Sequence, residues 1–220
     1  MSNTIVQDLL ANIREAIGCL YKLSESVSSL DVILSLAEVS QRPGFVRPTF
    51  SADALVIRQG KHPILEQMGN VNIVPNDTTV TLENNFQVLT GANMSGKSTY
   101  LKQIVLLQVM AQVGCHVPAD FASFRIADGI FSRIGTGDSI ECNASTFTLE
   151  MKEIAYILGS VGSRSLVIMD ELGRGTSTAE GASLCWAISE ELMKGSAFCF
   201  LATHFMLMTR LEALYCTAAK

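Results

Sequence analysis

Apolar residues near the start of the chain recur every seven positions. One row runs Val6, Ile13, Leu20, Val27 and Leu34, and a second runs Leu9, Ala16, Leu23, Leu30 and Ala37. The two rows form an a/d seam, and the spacing predicts one long helix over residues 5–39. Such a helix fits two roles equally: an amphipathic helix packed on its own domain, or an arm that pairs with another helix or transmits motion. The string Gln41-Arg42-Pro43-Gly44-Phe45-Val46-Arg47-Pro48 then breaks the pattern, because its prolines and glycine end a helix. The domain boundary is expected there, with residues 1–50 as helical region and linker and residues 51–220 as a second domain.

From Ala54 the pattern changes to short apolar runs. They predict strands at 55–57, 71–74, 79–82 and 86–89, the last running into a glycine turn and a helix over 97–113. Further strands are expected at 124–126, 130–134, 166–169 and 198–202, with helices over 146–158 and 179–193. Leu166-Val167-Ile168-Met169 shows no apolar–polar alternation, as expected where both faces of a parallel sheet are covered. The fold class is therefore α/β, a sheet flanked by helices and preceded by the long helix.

Composition narrows the class. Hydrophobic residues make up 48% and charged residues 17%, which suits a packed core and not a disordered chain. The net charge is -5, whereas a domain that grips DNA unaided is usually basic. DNA contact is thus expected through regions mostly outside this chain, or through a local patch that the totals hide. The six cysteines include no CxxC pair, which points to reduced thiols in a cytosolic or nuclear protein and away from zinc. Asp8, Arg14 and Glu15 spoil a signal peptide. The longest uncharged stretch, 103–119, holds three glutamines, a histidine and a proline, so it reads as a buried helix and its exit and not as a membrane span.

Candidate chemistry is concentrated after the strand at 86–89. Gly91-Ala92-Asn93-Met94-Ser95-Gly96-Lys97-Ser98 matches GxxxxGK[ST] between a strand and a helix, the context a phosphate-binding loop requires. Its glycines let backbone N–H groups converge on phosphates, and the helix start adds its positive end. Lys97 is a point charge for the β- and γ-phosphates, and Ser98 offers a hydroxyl to Mg²⁺. The strand 166–169 ends in Asp170 and Glu171. Acids at that end of a parallel strand face the ligand crevice: Asp170 to hold the Mg²⁺ shell, Glu171 to orient or deprotonate the attacking water. The turn Gly173-Arg174-Gly175-Thr176-Ser177-Thr178 leads into a helix and reads at least as a cap. Ser145-Thr146-Phe147 likewise reads as an N-cap, and that helix start as an anion site. His204 follows the apolar strand 198–202, at the same sheet edge as Asp170.

Taken together, these strings resemble the ATPase domain of the MutS family of DNA mismatch-binding proteins. The likeness runs through Thr90 to Leu101, Val117-Pro118-Ala119, Ser145-Thr146-Phe147 with Glu150-Met151, Asp170 to Thr178, and Ala202-Thr203-His204-Phe205. Lys61-His62-Pro63 and Ile73-Val74-Pro75-Asn76-Asp77 resemble the entry to that domain, and residues 29–37 the end of the family's long core helix. Ser95, Phe124-Arg125-Ile126-Ala127 and the segment 151–158 are most similar to the eukaryotic meiotic branch, that of MutS homologue four.

The resemblance implies an ABC-ATPase-like fold, ATP and Mg²⁺ as ligands, a nuclear location, and a second MutS-family subunit as partner. Gly91, Asn93, Gly96, Lys97, Ser98 and Thr99 are implied in phosphate and Mg²⁺ binding, with Ala92, Met94 and Ser95 completing the loop. Asn93 is implied to monitor Glu171, Ser145 to reach the γ-phosphate of the partner subunit, and His204 to act as a switch. Ile73 and Val74 stand where adenine is contacted, without the aromatic side chain many relatives carry there, and Ala92 stands where proline is usual. Against the whole family the chain is expected to be a fragment, an isoform or an incomplete gene model. By that likeness it is expected to lack a mismatch-reading domain, a connector, most of the lever and clamp, and the C-terminal dimerisation segment. Two alternatives stay open: a transporter- or chromosome-type ATPase, disfavoured because no Leu-Ser-Gly-Gly string precedes the acids, and a non-catalytic ATP-binding interaction fragment.

Overall fold

The structure, a computed structural model, describes residues 2–68, 73–134, 143–215 and 217–219. It contains two compact units, residues 1–43 and 44–220. The first is a single helix, α1 (Ser2–Ser40), close to the span its heptads predict. Its serines fit because Ser26 and Ser29 turn their hydroxyls back onto the carbonyls of Lys22 and Glu25. The apolar seam is exposed along its length, from Leu9 to Leu34.

The second unit opens with β1 (Phe45–Val46) and β2 (Thr49–Phe50), two-residue strands inside the stretch the prolines mark as linker. There follow β3 (Ala54–Gly60), α2 (Pro63–Met68), β4 (Asn76–Thr81), β5 (Phe86–Leu89), α3 (Lys97–Val113), β6 (Val117–Pro118), β7 (Phe121–Phe124) and β8 (Ile130–Arg133). The rest comprises α4 (Asn143–Ser160), β9 (Leu166–Asp170), α5 (Thr178–Met193), β10 (Phe198–Ala202), a 3-10 turn at Met206–Arg210, α6 (Leu211–Leu214) and β11 (Ala218–Ala219). Two expectations shift. The strand foreseen at 124–126 lies earlier, as β7. Of the strand foreseen at 71–74, Ile73 and Val74 are irregular and the other two residues lie outside the described ones.

Five strands form a sheet in the order β11-β5-β10-β9-β8, with every neighbouring pair parallel. Both faces are covered, which explains the unalternating apolar strands. Val167 and Met169 of β9, with Cys199 and Leu201 of β10, face α4 and α5 through Ile154, Ile157, Cys185 and Ile188. Leu166 and Ile168, with Phe198 and Phe200, face the other way onto Leu101, Ile104 and Leu107 of α3. That helix is roofed by a second sheet, β2-β7-β3-β4, which adds Leu55, Ile57, Val80 and Phe124 to the same core. Arg125, just past β7, fastens the two sheets. It is buried, donates to the carbonyls of Ser163 and Ser196, and stacks 3.6 Å over the Phe198 ring.

Candidate active site

Three loops meet at the C-terminal edge of the parallel sheet. The first leaves β5 and enters α3. Gly96 has φ +94°, a left-handed conformation that suits glycine, and it hands the chain to a helix whose leading N–H groups have no intrahelical partner. Lys97 folds back across the loop, and its Nζ donates to the carbonyls of Gly91 (2.9 Å) and Ala92 (2.8 Å). An ammonium has three donors, so a third remains. Ser95 packs its hydroxyl over Gly91. Residues 91–96 are all exposed, and Met94 is wholly so at φ +60°.

The second loop leaves β9. Asp170 is buried at 4% exposure, and its Oδ1 has no hydrogen-bond partner among the described residues. Glu171 has φ +54°, which costs a non-glycine residue on the order of 1–2 kcal/mol. Its surroundings hold it there: the Glu171 N–H donates to the Ala202 carbonyl at 2.9 Å. Glu171 Oε1 lies 2.8 Å from His204 Nε2, on the third loop, which follows β10, and Oε2 accepts from Arg174. Partial burial raises the Glu171 pKa, but the hydrogen bonds from His204 and Arg174 outweigh it and hold the carboxyl below its ordinary value.

Behind Glu171 the turn is packed tightly. Gly173, at φ +80°, lies so close to Gly181 of α5 that a Cβ on Gly181 would stand 2.2 Å from the Gly173 carbonyl oxygen. The Gly173 N–H donates at 3.0 Å to Oε1 of Glu150, a buried carboxylate on α4. Ser177 caps α5 as its position suggests, accepting from the Glu180 N–H.

The loops enclose adjoining cavities. One of about 320 Å³ is lined by residues 93–99 together with Glu171 and Arg174. A larger one, about 1080 Å³, extends from the same loop along Ile73, Val74, Tyr100 and Gln103. Asn93, Glu171 and His204 also share a third cavity of about 360 Å³. The residues singled out from sequence at Asn93, Lys97, Ser98, Glu171, Ile73 and Val74 therefore line two cavities that share Met94, Ser95, Gly96, Lys97 and Thr99, and His204 lines a third that shares Asn93, Glu171 and Arg174 with the first.

A family model described as MutS domain V matches residues 87–219, well over half of the chain. The chain belongs to the MutS family. It is 54% identical over 215 residues to human "MutS protein homolog 4" and 53% identical over 215 residues to the mouse protein of that name, covering 98% of this chain in each case and 23% and 22% of those proteins. It is 41% identical over 213 residues to "DNA mismatch repair protein MutS" of Pseudothermotoga lettingae, covering 96% of this chain and 26% of that protein. The chain thus spans about a quarter of the length of the curated relatives it matches.

The MutS likeness also directs attention to Ser145, and here the structure corrects the sequence reading. Helix α4 begins at Asn143, so Ser145 is the third residue of the helix and not its cap. Its side chain lies outside the described residues. Two contacts were not foreseen at all. Arg174 pairs with Glu171 across three positions, a signal available in principle from the spacing. The bond from Gly173 to Glu150 spans 23 positions and had no local signature.

Proposed function

We propose that this chain binds ATP with Mg²⁺ and hydrolyses it, as the P-loop, ABC-ATPase-like module of a nuclear MutS-type protein acting in DNA mismatch repair or meiotic recombination. One observation carries the reading: the loop 93–99 and Glu171 line a single cavity of about 320 Å³ at the sheet edge. Residues 91–99 would cradle the phosphates, with the third Lys97 donor and the leading N–H groups of α3 on the β- and γ-oxygens. Ile73 and Val74, on the wall of the larger cavity, would meet the adenine. The residues present fit Mg²⁺. Asp170 Oδ1 is a buried acceptor with no hydrogen-bond partner among the described residues, and Ser98 lies in the first turn of α3. The ion, when bound, neutralises charge building on the phosphate oxygens. Glu171 would hold the attacking water and take its proton, kept ionised by His204 and Arg174. Asn93, in the cavity shared with Glu171 and His204, would report whether that carboxylate is in place.

The partner is proposed to be a second MutS-family subunit, with Ser145 reaching the neighbour's γ-phosphate, and DNA is contacted mostly outside this chain. Measuring nucleotide binding and single-turnover hydrolysis separately, with and without that subunit, tests the scheme. Binding by the lone chain and hydrolysis on pairing is the expected result. Absence of binding overturns the site, and binding without hydrolysis in either state leaves a non-catalytic module.

A further inference from the structure

Glu171 keeps a left-handed backbone that persists only where its surroundings over-determine it. Upstream, the Ala202 carbonyl fixes its N–H. Downstream, the turn is fixed at Gly173 by the Glu150 carboxylate, at 3.0 Å. Glu150 has 4% of its surface exposed, in the middle of a helix whose polar residues are otherwise mostly at the surface. A carboxylate carries a large desolvation cost, so its burial calls for compensation. Compensation is present: Arg133 on β8 stands 3.9 Å from Glu150 Oε1 while also meeting Glu153 at 2.8 Å. A second, independent contact joins the same elements. A Cβ on Gly175 would lie 3.5 Å from Phe147 Cβ and 3.8 Å from Glu150 Oε2, so the first turns of α4 lie directly against the loop.

We infer that Glu150 is a positioning residue for Glu171, in the hydrolytic role proposed above, on which the assignment rests. Through its hydrogen bond from Gly173 and its ion pair with Arg133, Glu150 joins α4, β8 and the loop after β9 into a single mechanical unit. A displacement of α4 is then passed to the carboxylate that faces the nucleotide cavity. Two elements fix what Glu150 does. Its Oε1 holds the loop by accepting from the Gly173 N–H, and its charge answers Arg133.

Substitutions separate these two functions in the full-length protein. E150Q keeps an oxygen that can accept from Gly173 and discards the charge. E150D keeps the charge and shortens the reach by one methylene. With saturating ATP, E150D is expected to slow single-turnover hydrolysis by about tenfold to a hundredfold, the scale of an ångström-level misplacement, with ATP affinity unchanged. E150Q is expected to stay near the parental rate. Amide exchange at Gly173 is expected to quicken in E150D only. Parental rates in both variants, equal losses in both, or a loss of ATP affinity in place of rate would overturn the assignment. E171Q run alongside separates the two ideas. If E171Q turns over at the parental rate, the hydrolytic role of Glu171 fails. If E171Q is inactive while E150D exchanges faster at Gly173 yet turns over normally, only the positioning role of Glu150 fails.

Discussion

The two sides of the cavity are built on opposite plans. The glycine loop at 91–96 is exposed throughout, crossed by one lysine, and leads into a helix whose first N–H groups have no intrahelical partner. The loop after β9 is cross-braced: Glu171 to Ala202, His204 and Arg174, Gly173 to Glu150 and against Gly181. In the proposed function, one side is completed by a ligand. The other is held in a strained shape by the chain's own contacts, which, in the proposed function, keeps Glu171 in register without reorganisation. Binding and chemistry should therefore fail separately when the two sides are damaged.

The strongest way to test that separation is Glu171→Gln. It keeps the shape of the braced side and removes the proton acceptor. Single-turnover hydrolysis is expected to fall by a factor of about a hundred to ten thousand while ATP binding persists. Rapid-quench measurement of one turnover decides it, and a parental rate would unseat Glu171. Lys97→Ala damages the open side. Losing a charge-assisted contact of about 2 kcal/mol should weaken ATP binding by thirtyfold or so at the least, read by titration with a fluorescent analogue. Unchanged affinity in a folded variant speaks against the loop as the phosphate site.

Stability should show the same contrast. Gly181→Ala forces a Cβ to 2.2 Å from a backbone oxygen, and overpacking of that kind costs about 1–3 kcal/mol. Gly96→Ala meets no neighbour within 4 Å and carries only the cost of its left-handed backbone, about 1–2 kcal/mol. Denaturant midpoints of the pair would rank them, and a reversed order would refute the contrast. The smallest effect concerns pH. Glu171 is held below its ordinary value of 4.5, so its pairings stabilise the fold above that pH and are lost as pH falls through the folded value. Arg174→Ala removes one of the lowering causes. The acid limb of single-turnover hydrolysis should then move to higher pH, and an unmoved limb would show that Arg174 does not tune Glu171.

Much of the open side was legible in the sequence because its chemistry is local. Glycines, lysine and hydroxyl fall within eight positions between a strand and a helix, and β5 and α3 stand where that pattern puts them. The braced side was only half legible. Asp170 and Glu171 follow an apolar strand and can be read off it, but their braces come from Ala202, His204 and Glu150 on other elements. A glutamate in an amphipathic helix reads as surface, and nothing nearby says that Glu150 is buried. Ser145 was misread as a cap because serine suits a cap and the first helical turn alike. The two-residue strands β1, β2 and β6 are too short for any periodicity to register. Strand order was likewise out of reach, since it depends on which distant segments pair.

That order has a bearing on how the protein comes into being. Strand β5, which delivers the glycine loop, lies between β10 and β11: Phe86 stands beside Cys199 on one side and Ala218 on the other. On a ribosome, α3 can coil as soon as it emerges, because its contacts along the chain are local. The strand before it has no described sheet neighbour until β10, 113 positions further along from Phe86 to Cys199, has been made. Long-range parallel pairing closes late, since the entropy of bringing such distant segments together is lost before any contact rewards it. Newly made or refolding chains should regain their helical signal first and, in the proposed function, the capacity to hold a nucleotide last.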